Sequence, residues 1–428
     1  SAGQLTINTG IIKNAQGGEG KTTGGSGIYV DTLNIISGII KKAIGGRSTG
    51  EGGTGGEGIA SVKDLTISDG TIEEATGGDA DSGSGGSGIH SDSNLTISGS
   101  AEIDSATGGS GKNGGAGISA GTKSSEDVII TISGGTIGKA IGNDGGAGIG
   151  GSAGQRSHVE ITDGTIKKAE GKNGGAGIGG GRGAGATVTI SGGTIGSWDR
   201  ATQTANKNDG AFSSGGAAIG GGAGASDDTT VTISAVLIYN AEGQDGGAAI
   251  GGGKNSSGAA NVNISSGEVH ASTGSGNGGA AIGGGEQSAG AAKVNISGGV
   301  VYASTDYGNG GAAIGGGEQS EGATKIDISG NAQVYANGND GAGIGGGKQS
   351  ESATEINISE YAQVYADGRN GAAIGSGESS TGATKIDITG SAFVSADGSD
   401  GGAAIGSGKD SSGETIINIH DTAEGKGV

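Results

Sequence analysis

The side chains able to do chemistry are few, and most of the rings recur at matching places. Tyr239, His270, Tyr302, Tyr335 and Tyr365 each occupy the same position in successive apolar segments. Read as one outward column, they offer flat apolar faces that could dock sugar rings or a partner strand. Trp198 and Phe212 lie in residues 196–216, the one stretch that breaks an otherwise even spacing. An insertion of that kind reads as a lateral loop, a common place for binding residues. Its rings could equally pack back onto the body they leave.

Acid–base chemistry finds less support. Polysaccharide lyases and hydrolases on parallel β-helices need carboxylates grouped with a Lys, Arg or His on one face. Here the acids are spread along the chain, and His90, His158, His270 and His420 fall in separate repeats. No catalytic residue is assigned. Cysteine is absent, and no GGxGxD nonapeptide occurs, so neither a thiolate nor a calcium-roll metal site is expected. Matches to GxGxxG follow from glycine content and precede no helix, so no nucleotide or other cofactor is called for. The column Thr66, Thr96, Thr131, Thr189 and Thr232 raises an ice-binding surface. Its neighbours Asp64, Asn94, Ile129, Thr187 and Thr230 are too irregular to complete a two-column array. Sequons at Asn94, Asn255, Asn263, Asn295 and Asn357 carry meaning only for a eukaryotic source.

The elements that hold these residues are read from a repeat. Glycine supplies 108 of 428 residues and aromatics only 2%, too little bulk for an ordinary globular core. Order rescues the chain from a reading of disorder. A Gly/Ala-Gly/Ala-Ile marker recurs from Ile28 and Ile59 to Ile374 and Ile405 about every thirty residues, with one gap of 41 from Ile178 to Ile219. A second apolar segment follows each marker, as in Val188-Thr189-Ile190, and a third comes after it, as in Val334-Tyr335-Ala336. Strict alternation in Lys325-Ile326-Asp327-Ile328 argues strand, with Ile inward. Glycine at this density would cost a helix about 1 kcal/mol per residue, yet it suits tight turns.

The expectation is all-β: one continuous parallel β-solenoid over residues 1–428, three-sided, with about 30 residues per coil and 13–14 coils. Outward columns support the register independently. One reads Thr66, Thr96, Thr131, Glu160, Thr189, Thr232, then Asn263, Asn295, Asp327, Asn357, Asp387, Asn418. Lys325, Glu355 and Lys385 alternate in sign, as do Glu318, Lys348, Glu378 and Lys409. Asn or Asp before a Gly turn recurs at Asn113, Asp144, Asn173, Asp245, Asn277, Asn309, Asp340, Asn370 and Asp400, which predicts positive φ there.

The pattern GGAGIGGG followed by TVTISGGTI, clearest over residues 174–195, resembles the glycine-rich repeats of very large surface-anchored or secreted proteins of Gram-positive gut and oral bacteria. Some of these are described as carbohydrate-binding. The resemblance implies a bacterial cell-surface adhesin or fibre, extracellular, with a glycan or host-surface receptor as partner. The charge of −20 speaks against nucleic acid, and no apolar run is long enough to span a membrane. No signal peptide opens the sequence, residues 1–12 begin within a coil, and the tail HDTAEGKGV lacks a cover. Open strand edges at both ends would permit self-association end to end.

Overall fold

The structure, a computed structural model, describes residues 3–121, 128–199, 204–274 and 278–420. Among them there is no helix, and none therefore long and apolar enough to cross a membrane. The chain winds as a parallel β-solenoid of about 13 turns with roughly 31 residues per coil. Each coil carries three strand positions. In one coil these are Ile314–Gly315, Thr324–Ile328 and Gln333–Asn337, after which Ile344–Gly345 begins the next. First strands stack into a sheet of thirteen, and second and third strands share a sheet of thirty-two.

Strands this short cannot stand alone, so inter-coil hydrogen bonds and a shared interior hold them. Second strands alternate in burial as their sequences alternate in polarity. In Thr324–Ile328, Ile326 and Ile328 are fully buried, while Lys325 is exposed and Asp327 half-buried. Leu33, Ile35, Leu65 and Ile67 repeat the arrangement at the other end of the rod. The interior is a stack of Ile, Val, Leu and Ala rungs, with no aromatic among the fully buried side chains of the described residues.

Register follows the outward columns in full: Thr66, Thr96, Thr131, Glu160, Thr189 and Thr232 pair in sequence, then Asn263 through Asn418. Lys325, Glu355 and Lys385 occupy neighbouring rungs. Glycine marks where backbone meets backbone. A Cβ on Gly345, whose φ is +142°, would lie 1.8 Å from the Gly375 carbonyl oxygen.

Two features depart from a uniform coil. In early coils the long connection precedes the first strand, as between Ala43–Ile44 and Ile59–Ser61. There the loops bridge one another through Thr23, Thr54, Ser84 and Asn113. In later coils the longer connection follows the first strand, as between Ile219–Gly220 and Thr229–Ile233. Near the changeover Gln155 is buried and its amide donates to the carbonyls of Ala120 and Gly121 at 3.1 and 2.6 Å. The third strand changes too. Early coils split it at a two-residue corner, Lys41-Lys42 between Ile40 and Ala43, where later coils keep one outward residue, such as His270 between Val269 and Ala271.

The positive-φ expectation holds for Asp144, Asn173, Asp245 and Asp400 but not for Asn113, Asn309, Asp340 or Asn370; Asn277 lies outside the described residues. Asn309 is fully buried instead, its amide donating to Thr273 Oγ1 at 2.7 Å and its oxygen accepting from the Gly311 N–H. A column not anticipated adopts positive φ throughout: Asn255, Gln287, Gln319, Gln349, Ser379 and Asp410. Gln side chains take this backbone rarely. Here an amide ladder accompanies it, Gln287 donating to Gln319 and Gln319 to Gln349, each at 2.9 Å.

Candidate functional site

The third strand places His270, Tyr302, Tyr335 and Tyr365 on consecutive rungs. Their rings stack at centroid separations of 4.5, 4.9 and 5.0 Å, with interplanar angles of 18°, 10° and 6°. Phe393, which the column reading missed, continues the stack at 5.6 Å with a 50° tilt. It stands two residues before the column position, paired with Gln363, and reaches across to Tyr365. Parallel rings at about 5 Å leave no space for a sugar ring between them. Each inner face is already covered by a neighbour, and the edges and hydroxyls are what solvent meets.

Tyr239 does not join this column. The strand Leu237–Gly243 bulges between Ile238 and Ala241, so Tyr239 and Asn240 together oppose the single residue His270. A bulge re-aims the side chains at this rung. The insertion is also shorter than residues 196–216. Its backbone leaves as an antiparallel pair, Trp198–Asp199 with Thr204–Ala205, and the chain rejoins the main sheet at Gly210–Ser213. Phe212 is thus a sheet residue, paired with Glu170 on one side and Glu242 on the other. Lys168 Nζ lies 5.3 Å from the centre of its ring and 2.9 Å from Glu170. The side chain of Trp198 lies outside the described residues.

Where the hairpin, the bulge and the foot of the aromatic stack meet, they enclose a groove of about 500 Å³. Tyr239, His270 and Tyr302 form part of its wall, with Glu242, Asp306 and Lys207 contributing charge. His270 Nε2 is held by Glu268 at 2.8 Å.

Elsewhere, polar side chains spend their capacity along the rod. Asn357 donates to Asp327 at 2.7 Å, Asn418 to Asp387 at 2.6 Å, and Asn370 to Asp340 at 2.9 Å. Lys348 bridges Asp340 and Glu378, each at 2.9 Å. Burial opposes its charge, but the two carboxylates outweigh this and the ammonium pKa rises. One rung before the alternating series begins, Glu286 adjoins Glu318, and burial and that neighbour both push the Glu318 carboxyl up.

A cluster in the early coils has no counterpart in the sequence reading. His90 Nδ1 meets Ser119 Oγ at 2.9 Å and His90 Nε2 meets Asp92 at 3.0 Å. Ser119 in turn donates to Ser87 at 2.9 Å, and the Ser87 N–H donates to Glu57. Burial pushes the Glu57 carboxyl up to about 7, against the opposing pull of His90 and the Ser87 N–H. Burial acts to lower the His90 pKa, yet Asp92 and Glu57 outweigh it and the net shift is upward. A serine, a histidine and an aspartate in series suggest nucleophilic catalysis. Ser119 is fully buried, however, so no substrate from solvent reaches its hydroxyl in this conformation. Among the described residues no group of His, Cys, Asp and Glu is arranged to hold a metal. Against protein-family models, curated proteins and solved structures alike, the chain shows no match.

Proposed function

We propose that this chain is a non-enzymatic extracellular rod, structural and adhesive, belonging to a bacterial surface or filament protein. The observation that carries the proposal is the direction of its polar contacts. Asn357–Asp327, Lys348–Glu378, Gln287–Gln319 and the ring stack all join one coil to the next along the axis. A catalytic centre needs polar groups that converge on a point, whereas these run in parallel lines. Thirteen rungs at ~4.8 Å give a rod of roughly 60 Å, suited to spacing or presenting something else.

Immunogold labelling of intact source cells tests the location. Label on the outer surface or on filaments is expected, and label confined to the interior would overturn the proposal. Incubation with polyuronates tests the chemistry, since release of unsaturated or reducing sugars would show an enzyme. Light scattering of the purified chain reads assembly directly, with fibres expected if rods join end to end.

A further inference from the structure

We propose that the groove beside the hairpin binds an organic cation, the ammonium or guanidinium head of a basic ligand. The inference goes beyond the rod reading and stands or falls without it. Glu242 and Asp306 line the groove, and neither forms an ion pair among the described residues. Glu242 has one oxygen taken by the Gln244 amide at 2.9 Å, and Asp306 is exposed. The walls between them come from Tyr239, His270 and Tyr302, the last by its edge and hydroxyl because His270 and Tyr335 cover its faces. Carboxylates beside ring walls recognise a cation better than they recognise an anion or a neutral sugar.

The rod supplies its own template for this arrangement. Glu170 and Phe212 stand in the same outward column as Glu242, and Lys168, two residues before Glu170, sits against both the Phe212 ring at 5.3 Å and Glu170 at 2.9 Å. Farther along, Arg369 lies 4.7 Å from the centre of the Tyr307 ring and pairs with Asp400 at 2.5 Å. Twice, then, the chain places its own cation between a ring and a carboxylate. At the groove it provides rings and two carboxylates, while its own Lys207 lines the rim without an ion pair among the described residues. A volume of about 500 Å³ falls within the size of small-ligand sites, large enough for a lysine or arginine side chain with part of its backbone. The net charge of −20 draws such ligands inward and repels polyanions.

Calorimetric titration of the full chain with a hexalysine peptide, at 0.15 M salt, tests the site. Glu242→Gln and Asp306→Asn each are expected to weaken binding tenfold or more. Glu351→Gln, which removes the same charge from an exposed and distant position, is expected to change it less than twofold. Lys207→Ala is expected to strengthen it by removing a competing charge. Equal losses for Glu242→Gln and Glu351→Gln would reduce the binding to the general field of an acidic protein and overturn the proposal. So would binding of cellohexaose with the same dependence on Glu242, or failure of hexalysine to bind at all. Spermidine distinguishes the source: equal affinity assigns a free polyamine, and binding of the peptide alone assigns a basic segment of a protein.

Discussion

Replacing Gly311 by alanine puts one methyl group between two coils. The new Cβ would stand 2.1 Å from the Gly279 carbonyl oxygen and 2.8 Å from the Ala280 nitrogen, both backbone atoms of the preceding coil. Real Cβ contacts do not fall below 3.0 Å, so the coils must part locally by about 0.9 Å, the difference between 3.0 and 2.1. The Ala281 and Ile282 N–H groups donate across this gap to Ala312 and Ala313 at 3.1 and 2.9 Å. Parting by that distance takes both beyond hydrogen-bonding range. Two lost bonds at about 1 kcal/mol each, with overpacking strain of about 1–3 kcal/mol, give roughly 3–5 kcal/mol. The matched substitution Gly18→Ala meets nothing within 4 Å and no positive φ, so it is expected to be neutral or stabilising by up to about 1 kcal/mol. Urea denaturation reads the total, and hydrogen exchange at Ala281 and Ile282 reads the locality. Wild-type protection at those two amides in Gly311→Ala would refute the idea that coil spacing is rigid at the glycine columns.

Three further outcomes follow from the same contacts. Tyr335→Ala removes two stacked pairs and is expected to destabilise by about 1–3 kcal/mol beyond its buried area, whereas Tyr335→Phe keeps the rings and stays near neutral in thermal unfolding. Glu57 has a folded pKa raised from 4.5 to about 7, so its contribution is fully present below pH 4.5 and is lost as pH rises through 7. Glu57→Gln should therefore stabilise the early coils at pH 8 by about 1–3 kcal/mol and change little at pH 4; equal effects at both pH values would contradict the assignment. Lys348→Met leaves Asp340 and Glu378 without their shared partner beside the already strained Glu318. A loss of about 1–3 kcal/mol is expected near pH 7, shrinking in acid as those carboxylates take up protons, and a chemical denaturation series at several pH values measures it.

Sequence periodicity carried the register because inward Ile and Val must recur at fixed places for any coil to close. The Thr-to-Asn column and the Lys325, Glu355, Lys385 series therefore came through intact. Tyr239 was misplaced because counting from the marker Ile ignored a change of one residue. Ile238 is separated from Ala241 by two residues, as Ile40 is from Ala43, whereas one residue separates Val269 from Ala271. That spacing is visible in the sequence and would have set Tyr239 apart. Phe393 was harder to find, since it enters the stack diagonally from another column. The Glu57, Ser87, His90 and Ser119 cluster joins side chains from three coils, and no contiguous motif announces it. The groove could not be read at all, because it depends on where a hairpin folds relative to a bulge.

The corner of the third strand has a consequence for how such a rod can change over generations. At the glycine columns a single added methyl collides with the next coil, and an added residue would displace every rung beyond it. At this corner the chain already tolerates one residue at His270, two at Lys41-Lys42, and a whole hairpin between Ile195 and Gly210. Length variation is thereby accommodated along this line of the surface, as it is in the turns flanking the first strand, whose lengths also differ between coils. That line is the natural graft point, for evolution and for protein engineers, where a new recognition loop can be tried without retuning the scaffold.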